Sequence, residues 1–206
     1  LKAYPSIPGS KDRKIPLGEP CIGFYKYDGS NLRWEWSRKK GWYKFGTRHR
    51  LFGADEAPYN QAIPIFLNDI GPSIEKTITT EYKGIQDFIV YTEFFGKSSF
   101  AGNHDAEEAK RLVLFDVHIP RKGLILPRLF LKMFGTESFA PEVMYDGNLN
   151  QQLIDEVRAG KYDVDEGMVC KGVDTRGMVW MVKIKTDAYL AKLKNNFGDD
   201  WDKYAE

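Results

Sequence analysis

Cysteine is scarce in this chain, and that scarcity excludes a class of fold. Cys21 and Cys170 are too few for a disulfide framework and have no neighbouring ligands at zinc spacing, so both are expected buried and reduced. Long apolar runs are missing as well. No stretch approaches the length needed to cross a bilayer, and residues 1–9 lack the apolar core of a signal peptide. A cytoplasmic protein without a membrane partner is expected, or one in the host cytoplasm if phage-encoded. Charge of one sign is not in excess either: 30 basic residues against 29 acidic ones leave a formal +1, so any polyanion must be held by a local patch. There is no internal repeat, no low-complexity segment and no G-x-x-x-x-G-K-S/T sequence, which removes the P-loop enzymes.

What is present suits a globular chain. With 206 residues, 42% hydrophobic and 14% aromatic, it can bury a substantial core, and no composition break marks a linker. A single domain spanning 1–206, acting as a monomer, is the simplest expectation. After a Pro/Gly-rich opening, residues 21–27, 31–37 and 42–47 read as a strand meander. Residues 59–81 carry apolar positions at helical spacing, with Pro64 and Gly71-Pro72 predicting two short helices. Strands follow at 88–94 and 112–119, separated by a polar loop, 97–108, long enough to be mobile. A helix at 148–159 ends at Gly160, strands are predicted at 167–171 and 178–184, and a polar amphipathic helix spans 187–196. Without βαβ alternation, this is an α+β pattern with largely antiparallel sheet.

Four segments carry chemistry. Lys26-Tyr27-Asp28-Gly29-Ser30-Asn31 places a lysine at a strand end, before a glycine that suits a tight turn and close phosphate approach. Alone, this reads better as a structural hairpin. Tyr91-Thr92-Glu93-Phe94-Phe95-Gly96 ends a strand with a carboxylate, and Glu166-Gly167-Met168-Val169-Cys170-Lys171 begins one with another. Lys183 and Lys185, two apart on a strand, project to one face. Separately, Arg33, Arg38, Lys39, Lys40, Lys44, Arg48 and Arg50 face only Glu35 in their window, with Trp34, Trp36 and Trp42 interleaved. Such a cluster suits phosphate neutralisation and base stacking, and on charge alone it equally suits a solvated hairpin. His49, His104 and His118 have no metal-ligand spacing and receive no role.

Together these segments resemble the covalent nucleotidyltransferase superfamily of DNA ligases, RNA ligases and mRNA capping enzymes. The K-x-D/H-G motif is matched at Lys26, the strand-ending glutamate at Glu93, the phenylalanine-aspartate pair at Phe115-Asp116, E-G-x-V-x-K at Glu166, and K-x-K at Lys183, in the family's order. Asn31, and more softly Tyr4-Pro5-Ser6-Ile7, are similar to the RNA ligase 2 branch.

The resemblance implies an adenylation (nucleotidyltransferase) domain of an ATP-grasp-like ligase type, with antiparallel sheets flanked by helices. It implies Lys26 as the nucleophile, Phe115 stacked on adenine and Glu93 on the ribose. Lys183 and Lys185 would contact the α-phosphate and pyrophosphate. Tyr25 and Asn31 would join the nucleotide-binding set, with Arg48, or Arg50 in its place, reaching the ribose or second substrate. Glu166 and Asp28 would serve Mg²⁺ or Mn²⁺, directly or through water. Arg33, Lys39, Lys40, Lys44 and Arg50 would hold nucleic acid.

The implied activity is that of an ATP-dependent RNA ligase of the RNA repair type. Lys26 takes AMP, passes it to a 5′-phosphate end, and a 3′-hydroxyl then displaces it. The partner would be nucleic acid, RNA-containing, with those two ends. About twenty residues follow Lys185, so no OB-fold or other C-terminal domain is expected in this chain. The alternatives are a small ATP-dependent DNA ligase, a capping-type guanylyltransferase domain, and a catalytically silent module that binds nucleic-acid ends.

Overall fold

A computed structural model describes residues 3–204, so the first two residues of the N-terminal stretch and the last two of the chain lie outside the described residues. In chain order the strands are β1 (Pro20–Lys26), β2 (Ser30–Ser37), β3 (Gly41–Thr47), β4 (Asp87–Gly96), β5 (Lys110–Ile119), β6 (Gly123–Leu124), β7 (Val143–Asn148), β8 (Gly167–Val173) and β9 (Val179–Lys185). The helices are α1 (Ala62–Ile65), α2 (Gly71–Glu81), α3 (Pro127–Phe134), α4 (Gln151–Arg158) and α5 (Asp187–Phe197). No helix among the described residues is long and apolar enough to cross a membrane. The chain forms two compact units, each described by itself.

Among the described residues the first unit holds 3–4, 29–125 and 129–140 and is built on a five-stranded sheet, order β3-β2-β4-β5-β6, antiparallel throughout. Its strands alternate. Leu32, Trp34 and Trp36 of β2 and Phe88, Val90 and Phe94 of β4 point to one buried face, where they meet Phe66, Ile70, Ile74 and Ile78 from the helical run and Phe130 and Phe134 from α3. The expected break into two helices at Gly71-Pro72 does not occur. A π-helical turn, Phe66–Ile70, joins α1 to α2 instead. Pro72 has no N–H and its ring crowds the preceding turn, and a widened turn accommodates both without ending the helix. The turn also lays Phe66 flat on Trp34, ring centroids 4.0 Å apart.

The second unit holds residues 5–28, 126–128 and 141–204, on a four-stranded antiparallel sheet, order β7-β1-β8-β9. One face packs Cys21, Met168, Cys170, Val182 and Ile184 against Leu153, Ile154 and Val157 of α4. Both cysteines are buried and free, as expected. Asn150 caps α4 by accepting from the Leu153 N–H at 2.8 Å, so this helix starts later than the periodicity suggests. Residues 8–10 run beside β9, with the Lys183 N–H donating to the Pro8 carbonyl and the Ser10 N–H to the Lys183 carbonyl. That cover spares β9 an open edge. No element is expected from the sequence between β6 and α4, yet α3 and β7 form there, α3 with Leu129, Phe130, Met133 and Phe134 at helical spacing. β7 is held by its pairing with β1, despite an Asp146-Gly147 pair that reads as a turn.

Candidate active site

In the second unit, register places the predicted chemistry. Lys26 at the end of β1 pairs with Gly167 at the start of β8, and Gly167 pairs with Lys185 at the end of β9, giving one row across three strands. Glu166, one residue before that row, receives both lysines. Its Oε1 lies 2.7 Å from Lys26 Nζ and 3.1 Å from Lys185 Nζ. The Glu166 and Lys185 side chains are 4% and 7% exposed, whereas Lys26 keeps 22%, so of the three the lysine at the strand end is the accessible one. Only glycine fits at 167, because a Cβ there would stand 1.9 Å from the Ile184 carbonyl oxygen.

Burial lowers the Lys185 pKa from its ordinary value, the Glu166 charge opposes this, and the Lys26 charge adds to the lowering. Lys185 also donates to the Tyr204 carbonyl and lies 5.0 Å over the Tyr189 ring. Asp28 accepts from the Tyr189 hydroxyl at 2.9 Å. Tyr25 donates to Asp165 at 2.7 Å, and burial together with that bond pushes its pKa up. Lys183 shares its strand face with Lys185 but is only half-buried, so the two lysines are not equivalent. Lys171, the last residue of the E-G-x-V-x-K segment, is buried with its ammonium 5.2 Å over Phe24.

The remaining predicted residues lie in the first unit. Asn31 pairs with Glu93 across β2 and β4, both half-buried, and the Asn31 side-chain oxygen is buried without a hydrogen-bond partner. Phe115 sits at the irregularity where the β4–β5 register shifts between Tyr91 and Thr92, edge-on to Tyr4 at 4.9 Å. Tyr4 donates to the buried Asp116 carboxylate. Gly29 is required for a different reason from the one the sequence suggests. Its φ is not positive, but a Cβ would come within 2.3 Å of the Phe94 carbonyl oxygen. The turn therefore needs a close backbone approach to β4 rather than a left-handed conformation.

The basic set is less open than its sequence implies. Lys39 and Lys40 are exposed at the β2–β3 turn, but Arg33 is 1% exposed, with its Nε 3.2 Å from Glu35, so it is no part of a solvent-facing patch. Lys44 is 3.5 Å from the same Glu35, and Arg50 pairs with Glu56, an acid outside the window counted from sequence. Arg48 is half-buried. The 97–108 loop, expected to be mobile, is tied down. His104 bridges the Ser30 and Ser99 hydroxyls at 2.8 and 2.9 Å, and Glu108 pairs with Lys110. Sequence reasoning missed His104, Thr186 and Tyr189. For the last two a signal existed, since a threonine directly after the K-x-K strand and before a helical pattern is an N-cap that fixes which side chains lie in the first turn.

No family model matches the chain, and no curated protein matches it. Solved structures do. A Naegleria gruberi RNA ligase mutant with AMP and Mn is similar over 93% of this chain and 58% of its own, with a TM-score of 0.62 and 17% identity. Another mutant of that ligase, with ATP and Mn, gives 0.61 and 18% over 93% and 60%. A putative ATP-dependent DNA ligase from Aquifex aeolicus gives 0.63 and 16% over 98% and 56%. The fold is that of nucleotidyltransferase-type ligases. The antiparallel α+β architecture expected from the motifs is therefore correct, and this chain spans about three fifths of the length of the ligases it resembles.

Proposed function

We propose that this chain is the adenylyltransferase part of an ATP-dependent polynucleotide ligase, acting through covalent lysyl-AMP at Lys26. The observation that carries the reading is the Lys26–Glu166–Lys185 cluster at three adjacent strand ends, with Lys26 the accessible member. After losing its ammonium proton, the Lys26 Nζ attacks the α-phosphorus of ATP. A P–N bond forms, the bond from phosphorus to the bridging oxygen breaks, and pyrophosphate leaves. Lys185, held by burial and by Glu166, supplies a fixed positive charge for the developing charge on the phosphoryl oxygens, and Lys183 supplies a looser one.

Among the described residues no three His, Cys, Asp or Glu side chains are grouped to hold a metal. This donor set fits Mg²⁺ or Mn²⁺ of the kind bound by one or two carboxylates together with substrate phosphates and water, for which Asp28 and Glu166 suffice. When bound, the cation neutralises phosphate charge. The roles of Glu93 at the ribose and Phe115 at the base rest on the motif resemblance. The second substrate in this reading is a nucleic acid with 5′-phosphate and 3′-hydroxyl ends. Asn31, which resembles the RNA ligase 2 branch at that position, favours an RNA-containing strand, while the fold is shared equally with a DNA ligase.

Incubation with Mg²⁺ and α-labelled ATP or GTP tests the central step. Label from ATP that stays on the denatured protein and disappears in Lys26→Ala is expected. No label from either nucleotide, or equal labelling of the variant, overturns the reading, and label from GTP alone favours the capping alternative. Nicked duplexes with RNA or DNA strands test the substrate, and sealing of all-DNA nicks alone would remove the RNA assignment.

A further inference from the structure

Helix α5 begins directly after β9, and its cap and first turn touch the loop that carries Glu166, the Asp28 carboxylate and the Lys185 ammonium. Thr186 follows Lys185 and caps the helix, its hydroxyl oxygen accepting from the Tyr189 N–H at 3.1 Å. The same threonine is tied to the loop that carries Glu166. Its N–H donates to the Glu166 carbonyl at 3.0 Å, and its hydroxyl donates to the Asp165 carbonyl at 3.0 Å. Thr186 is 2% exposed, so these bonds are made away from water. The cap thereby fixes where Tyr189, one turn in, can point.

Tyr189 uses both parts of its side chain. The hydroxyl donates to Asp28 Oδ2 at 2.9 Å, and the ring face lies 5.0 Å below the Lys185 ammonium. One buried aromatic residue thus holds the carboxylate of the K-x-D-G segment and the second lysine of the K-x-K segment, which are 157 positions apart in the chain. A Phe at this position would keep the ring contact and lose the hydroxyl. A Leu would lose both.

We propose that Tyr189 is a positioning residue for lysine adenylylation, orienting Asp28 through its hydroxyl and Lys185 through its ring. The proposal rests on the adenylylation reading, and the two can fail separately. In the adenylylation reading Asp28 would serve the cation at the phosphates, so the hydroxyl that holds it governs the rate of the covalent step. The ring acts on a phosphate-binding cation, so it governs how much ATP is needed.

The experiment compares wild type, Tyr189→Phe and Tyr189→Leu in single-turnover labelling with ATP and Mg²⁺, with thermal melting of each protein. Tyr189→Phe should slow labelling at saturating ATP roughly tenfold, the size expected for a hydrogen bond to a charged group, and leave half-saturating ATP within about twofold. Tyr189→Leu should be at least as slow and should also raise half-saturating ATP. Labelling of Tyr189→Phe at the wild-type rate, with wild type itself labelled, overturns the positioning role and spares the adenylylation reading. A Tyr189→Phe protein that is unfolded at the assay temperature also overturns it, since the residue would then be a packing element. Absence of label on wild type overturns both.

Discussion

The two units hold their sheets in place by different means. In the first, twenty buried apolar residues among those described form one core, with Trp34, Phe66 and Trp42 in direct ring contact. In the second the corresponding cluster has nine, two of them cysteines. The thinner-cored unit nevertheless holds a buried ionic cluster in which one carboxylate oxygen serves two ammonium groups. Backbone register does what core volume does elsewhere. Lys26, Gly167 and Lys185 are lined up by ladder pairing, which tolerates less error than side-chain packing because a slip of one residue reverses every side chain. The chain crosses from the second unit to the first between Asp28 and Gly29, in the middle of the Lys26–Asn31 segment.

The comparison can be broken by asking which unit's disruption costs stability and which costs chemistry. The largest effect is expected from Phe66→Ala, which removes a fully buried ring stacked on Trp34 and should destabilise by about 3–5 kcal/mol in denaturant unfolding. A loss well under that would mean the first unit's core closes over the cavity. Next in size is Lys185→Ala. It should slow labelling on the order of 10²-fold or more, by analogy with loss of a preorganised oxyanion donor, and it should exceed the effect of Lys183→Ala. Equal losses would contradict the inequality that burial and the Glu166 contact impose on the two lysines.

That inequality was not legible in the sequence. Alternation showed that Lys183 and Lys185 share a face, because a period of two needs only strand geometry. It could not show that Glu166 and Tyr189 close around one of them, since those contacts come from chain segments joined by register and by the α5 cap. The strands and the helices at α4 and α5 were readable from period and caps. β7 and the continuous run from α1 to α2 were not. An Asp-Gly pair and a proline look like stops in sequence, while strand pairing and a π-helical turn override them. Arg33 fails for a related reason. As a charged residue it reads as surface, but it alternates with Leu32 and Trp34 to the face it shares with Glu35, where it is buried beside that carboxylate.

Within the second unit the two helix caps differ in what else they hold. Thr186→Ala and Asn150→Ala each remove a side-chain acceptor from a helix start and should each cost about 1 kcal/mol of stability. Only the first also removes a side-chain bond to the Asp165 carbonyl, next to Glu166, so only Thr186→Ala should slow labelling beyond its effect on folding. If Asn150→Ala slowed labelling equally, the α5 cap would have no special relation to the cluster.

The smallest effect belongs to the first unit and concerns pH. His104 is held between Ser30 and Ser99, and burial first, then the Lys110 charge, lowers its pKa from the ordinary 6.5. The unfolded chain therefore accepts a proton at a pH where the folded one resists it. Stability from this group is fully present above 6.5 and is lost as pH falls through the folded value. The wild-type urea midpoint should drop between about pH 7 and about pH 5 by more than that of His104→Gln, whose side chain stays neutral throughout. Parallel curves would show that the loop does not hold the histidine against protonation. A steeper wild-type curve would tie Ser30, the first residue of β2, to a loop that sequence length alone marks as mobile.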